Sequence, residues 1–75
     1  MQTYTIPPYT EETHRVIQDV PGKGELEAIS VWGDIACESC DAIIANERQT
    51  IHVGHACWRC GTKVVRFEPI KKQVP

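Results

Sequence analysis

Cys37-Glu38-Ser39-Cys40 and Cys57-Trp58-Arg59-Cys60 hold every cysteine of the chain, with sixteen residues between the two motifs. Two residues between cysteines let a tight turn present both sulfurs on one side, with backbone amides directed at them. Two such turns bring four thiolates to one point, which suits a tetrahedral dication, and a sixteen-residue gap falls within the spacing of paired zinc-binding turns. Gly61 follows the second motif, where the turn needs a residue free to take positive φ. The spacing assigns Cys37, Cys40, Cys57 and Cys60 to one structural Zn²⁺ with no open coordination position.

Other uses of these residues fit less well. The second pair is Cys-Trp-Arg-Cys rather than the Cys-Pro-x-Cys-Gly of a rubredoxin-like iron site. A redox dithiol needs a strand-to-helix junction in a βαβ unit, for which 75 residues leave no room. His52 and His55 precede the second motif and offer substitute ligands, but four cysteines make them redundant; a hydrogen bond from one imidazole to a ligand sulfur is the alternative. Neither Ser30 nor Ser39 lies in a nucleophile motif, and Asp34, Glu38 and Asp41 read as a solvated acidic face. No catalytic set emerges, and the chain is expected not to be an enzyme.

Length gives the metal its purpose. A chain this short buries a thin core, and the binding free energy of a structural zinc, roughly 10 kcal/mol or more, becomes folding free energy. The amino end lacks the basic and apolar regions of a secretory signal, and Ala42-Ile43-Ile44-Ala45 is the longest fully apolar run. A cytoplasmic, reducing location is the expectation, and there cysteines serve metal better than disulfides.

Outward from the cysteines, the chain reads as short strands. Asp41 to Ala45, Thr50 to Ala56 and Thr62 to Phe67 are expected as strands, the last ended by Glu68-Pro69. Lys63 and Arg66, three apart, would face opposite sides of a regular strand. Glu25 to Trp32 alternates as one strand, and Pro21-Gly22-Lys23-Gly24 before it is a turn. Residues 13–20 read as the other arm of a hairpin, or as a short helix capped by Thr10. Residues 1–9, with Pro7-Pro8, form an extended arm whose Tyr4 and Tyr9 pack back on the domain. The expected organisation is an extension over 1–34 packed on a four-cysteine unit over 35–68, then a flexible tail over 69–75, all within a small all-β fold.

This order of strands and cysteine turns over residues 35–68 resembles the zinc ribbon, on Cys37, Cys40, Cys57, Cys60 and Gly61. The resemblance implies a three-stranded antiparallel sheet with two knuckles and one zinc ion; it implies no activity. The layout is also similar to two families of small zinc-binding regulators. One is the Mu-type phage translational regulator, which shares the two motifs, a similar gap and apolar residues like Val64-Val65. The other is the zinc-binding anti-sigma factor of sporulating bacteria, with nearly the same gap. Both suggest a regulator that binds a macromolecule, of phage or bacterial origin.

Charge decides which macromolecule. The formal net charge of −2 conceals a division: residues 1–47 carry nine acids against Arg15 and Lys23, and residues 48–75 carry six bases against Glu68. Four thiolates around a dication would take the whole to about −4, a poor balance for a polyanion binder. The acidic half suits a basic surface on a transcription or other nucleic-acid-handling machine. Trp58 and Arg59, between the cysteines of a knuckle, are expected to point outward as a partner anchor, with Lys63 and Arg66 nearby. The alternatives are that they stack on an unpaired base of RNA or DNA, or that Trp58 folds over the core edge with Trp32. The sequence therefore predicts a small regulator that binds a protein, with nucleic acid as the second candidate and neither a membrane nor a small-molecule substrate.

Overall fold

The computed structural model describes residues 2–70. Eight strands build it: β1 (Thr3–Thr5), β2 (His14–Val20), β3 (Gly24–Glu27), β4 (Ile29–Val31), β5 (Asp34–Ala36), β6 (Ile43–Ala45), β7 (Thr50–His52) and β8 (Lys63–Pro69). They form three antiparallel sheets, ordered β1-β7, β3-β2-β8 and β4-β5-β6. The small all-β class expected from the sequence is what the chain adopts. The one helical element among the described residues is a single 3₁₀ turn at Tyr9–Glu11, so residues 14–20 are the hairpin arm and not a helix. Among the described residues no helix is long and apolar enough to cross a membrane.

The hairpin across Pro21–Lys23 forms with Val20 opposite Gly24. The expected single strand from Glu25 to Trp32 does not. It breaks at Ala28, whose amide donates to Val16 O at 2.8 Å while its methyl enters the core. The chain then leaves β2 and pairs with β5, so β3 and β4 lie in different sheets. A two-residue turn joins β4 to β5, with φ of 52° at Trp32 and 92° at Gly33. Positive φ at both central residues matches the right-handed twist of the flanking strands. A Cβ at Gly33 would lie 2.9 Å from Glu47 Oε2, the mobile end of a partly exposed side chain, so the positive φ rather than lack of space is what favours glycine there.

Two bulges reset which side chains face inward. In β5-β6 the register runs Ile35 opposite Ala45 and then Ala36 opposite Ile43, leaving Ile44 as the extra residue. Ile44 and Ala45 are consequently both buried and Ile43 turns outward. In β2-β8, Ile17 pairs with Arg66 and Gln18 with Val64, making Val65 the extra residue. Lys63, opposite Asp19, therefore shares a face with Arg66, contrary to the opposite faces a regular strand would give. Strand β8 also continues through Glu68 and Pro69, because it is an edge strand and a missing N–H there forfeits no ladder bond. Of the tail expected over 69–75, Pro69 and Ile70 join this structure, the Ile70 amide donating to Thr13 O; 71–75 lie outside the described residues.

The first and second halves share one core. Ile6, Val16, Ala28, Ile35, Ile44, Ile51 and Val64 cluster around Cys37 and Cys57. The arm reaches it by main-chain pairing of β1 with β7, with Tyr4 against His14 and Phe67 at ring distances of 5.1 and 5.5 Å. Tyr9 stays exposed and meets Trp32 edge-on. The strands on either side of the second cysteine pair do not ladder with one another: β7 takes β1, and β8 takes β2, as partner. Five of the eight strands thus lie ahead of the first cysteine.

Candidate metal centre

Each cysteine pair sits in a closed loop, and the two loops repeat each other twenty residues apart. Ala36 pairs with Ile43 across the first and Ala56 with Lys63 across the second. The Cys37 amide donates to Ala42 O at 2.7 Å and the Cys57 amide to Thr62 O at 2.8 Å. The Asp41 and Gly61 amides close the loops onto Cys37 O and Cys57 O, both at 2.9 Å. The residue after each second cysteine is left-handed, with φ of 65° at Asp41 and 79° at Gly61. The first knuckle thus bears an aspartate where the second bears the glycine that fits without strain.

These loops face each other. Cys37 Sγ lies 3.6 Å from Cys60 Sγ, Cys40 Sγ lies 3.5 Å from Cys57 Sγ, and all four sulfurs fall within 4.8 Å of one another. A tetrahedral ion with metal–sulfur bonds of about 2.3 Å sets its sulfurs about 3.8 Å apart, so the set fits a four-sulfur ion. Cys37 and Cys57 are buried, Cys40 half-buried and Cys60 exposed, so the ion would lie at the edge of the core.

Hydrogen bonds to the sulfurs come from three directions. The Arg59 amide lies 3.4 Å from Cys57 Sγ, and the Thr62 hydroxyl lies 3.1 Å from Cys60 Sγ. The Thr62 hydroxyl, followed by its backbone amide, holds the Cys60 thiol down to about 6. At Cys40 the Ala42 amide pulls downward, but desolvation and the other three sulfurs outweigh it and push that thiol up to about 12.

The third donor is Gln18, on β2 and fully buried. Its Nε2 donates to Cys37 Sγ at 3.5 Å, and its Oε1 accepts the Glu38 amide at 2.8 Å. One amide side chain thus orients a ligand and pins the knuckle beside it. Sequence reasoning missed Gln18. The available signal was a glutamine between Val16, Ile17 and Val20 on a strand, a place where a polar side chain needs a partner. The histidines do not take that role: His55 Nε2 bonds Ile44 O at 2.7 Å and His52 Nδ1 bonds Val53 O at 2.8 Å.

The four residues expected to meet a partner separate into two pairs. Trp58 and Arg59 are exposed on the tip of the second knuckle. Trp58 is 75% exposed, and its Nε1 donates to Ile43 O at 2.8 Å. Trp32 is 77% exposed, so neither indole covers the core. Lys63 and Arg66 lie on the outer face of β3-β2-β8, where Arg66 is paired to Glu25 and Glu68, whose carboxylates raise its pKa in that order. Arg15 meets Glu27 on the same face, which is consequently mixed in charge rather than basic.

No family model matches the chain, and neither does any curated protein or solved structure.

Proposed function

We propose that the chain is a zinc ribbon in which Cys37, Cys40, Cys57 and Cys60 hold one structural Zn²⁺, and that it acts as a small non-enzymatic regulator by binding a larger protein machine. The observation carrying this reading is the pairing of two features on one knuckle. Four sulfurs at tetrahedral spacing complete a coordination sphere and leave no position for substrate, while Trp58, between two of them, stands 75% exposed on a fixed hydrogen bond. The ion supplies folding free energy and keeps the knuckle rigid. Trp and Arg, here side by side and exposed at Trp58 and Arg59, are two of the residue types enriched at binding hot spots.

Nucleic acid is the second reading, favoured by the same Trp58–Arg59 pair, which could stack on an unpaired base. Weighing against it, Arg15 and Arg66 are engaged by Glu27, Glu25 and Glu68. Chromatography of the metal-loaded chain on heparin separates the two. The protein-binding reading expects weak retention at low salt, with capture of a protein partner surviving nuclease treatment. Tight retention falling steeply with salt would overturn it.

A further inference from the structure

We propose that the outward face of β4-β5-β6, closed at one side by Trp58, is the docking surface, and that it takes a protein segment presenting Lys or Arg around an apolar centre. This deepens the protein-binding reading and rests on it.

The face is defined by register. Ile29 and Ile43 both lie opposite Ala36, and Val31 lies opposite Asp34, so all five side chains project from one side. Ile29, Val31 and Ile43 are 38–40% exposed, although Ile6, Ile51 and Val64 of the same small protein are fully covered. The bulge at Ile44 is what turns Ile43 outward while its two successors enter the core. Trp58 adjoins Ile43 through its hydrogen bond to Ile43 O. An aromatic anchor fixed before binding loses little conformational entropy on association.

Charge selects the occupant. From Gly24 to Glu47 the sequence holds six acids and no lysine or arginine, and this stretch contains the whole sheet and the first knuckle. Glu25 and Glu27 are engaged by Arg66 and Arg15, but Asp34, Glu38 and Asp41 have no ion-pair partner among the described residues. Asp34 lies on the apolar face itself, and Glu38 and Asp41 lie in the knuckle leading into Ile43. A four-thiolate dication adds net negative charge beside them. An apolar centre with an acidic surround complements a basic partner. A second copy of the chain would set these carboxylates against their own kind, and phosphates would be repelled as well.

The test is selection of random twelve-residue peptides on the metal-loaded full chain, followed by titration of the enriched peptides into isotope-labelled protein. Expected are sequences with Lys or Arg around large apolar residues, shifting the Trp58 indole N–H and the Val31 and Ile43 amides. D34N/E38Q/D41N preserves shape, and the side-chain oxygen retained at position 34 can still accept from the Glu47 amide; the triple change should weaken binding about tenfold or more. W58A should do the same with metal content unchanged, and V31T gives an independent check that leaves the Trp58 hydrogen bond in place. Enrichment of acidic or uncharged sequences, or of none, overturns the proposal, as does protection of the face in a dimer of the chain. Peptides that bind but shift other signals would sink this surface while leaving the protein-binding reading standing. A single-stranded oligonucleotide shifting the same signals more strongly would remove both.

Discussion

Replacing Gln18 removes two hydrogen bonds at once, one to the Cys37 sulfur and one from the Glu38 amide. In Gln18→Leu that amide loses its acceptor, at a cost of about 1–3 kcal/mol, and groups that orient metal ligands typically contribute about 10- to 100-fold in affinity. Competition with a chromophoric chelator should therefore show metal affinity falling by about that factor, together with a lower melting temperature. The two knuckles make a paired prediction. Gly61→Ala forces a Cβ into left-handed backbone and should cost about 1–2 kcal/mol, whereas Asp41→Gly relieves the same conformation and should cost nothing or stabilise. Urea unfolding of the metal-loaded variants reads both; equal effects of the same sign would contradict the equivalence of the loops. At this scale the four cysteines were legible in the sequence because their spacing reports directly on ligand geometry. Gln18 was not, since its role depends on β2 lying against a knuckle nineteen residues away.

Strand existence was easier to foresee than strand partnership. The turn at Pro21–Lys23 and the strands after each knuckle follow from local composition, and they are present. The break at Ala28 was hidden because alternation continues unbroken from Glu25 to Trp32; the Ala28–Val16 hydrogen bond is the last between the two strands, and from Ile29 the chain pairs with β5 instead. Bulges were equally hidden, and each reverses parity, which is how Lys63 and Arg66 came to share a face. The arm is the element whose removal is most informative. Ile6 is almost completely buried and its amide and carbonyl bond Gln49 and Arg48. Ile6→Ala should cost about 2–4 kcal/mol, most of the stability of so small a domain. Thermal unfolding followed by circular dichroism measures this. An unchanged melting temperature would make the arm an appendage.

Taken whole, the molecule joins its acidic and basic halves through few ion pairs. The acidic first half and basic second half meet on the outer face of β3-β2-β8 through Arg66–Glu25, while Arg15–Glu27 and Arg66–Glu68 pair charges within each half. Pairs this exposed contribute little stability, and none of them involves the acids around the first knuckle. The core that joins the halves is built from Ile, Val, Ala and Cys, too little apolar bulk to hold so short a chain comfortably. In the proposed reading a bound ion would supply the difference, by fastening two loops that belong to different sheets. Cys57→Ser should accordingly unfold most of the domain, seen as loss of strand signal in circular dichroism. Elemental analysis of the purified, folded chain is the most direct measurement of that claim. One zinc per chain, with loss of strand signal on its removal by a strong chelator, is the predicted result; a folded chain with no stoichiometric metal would contradict it.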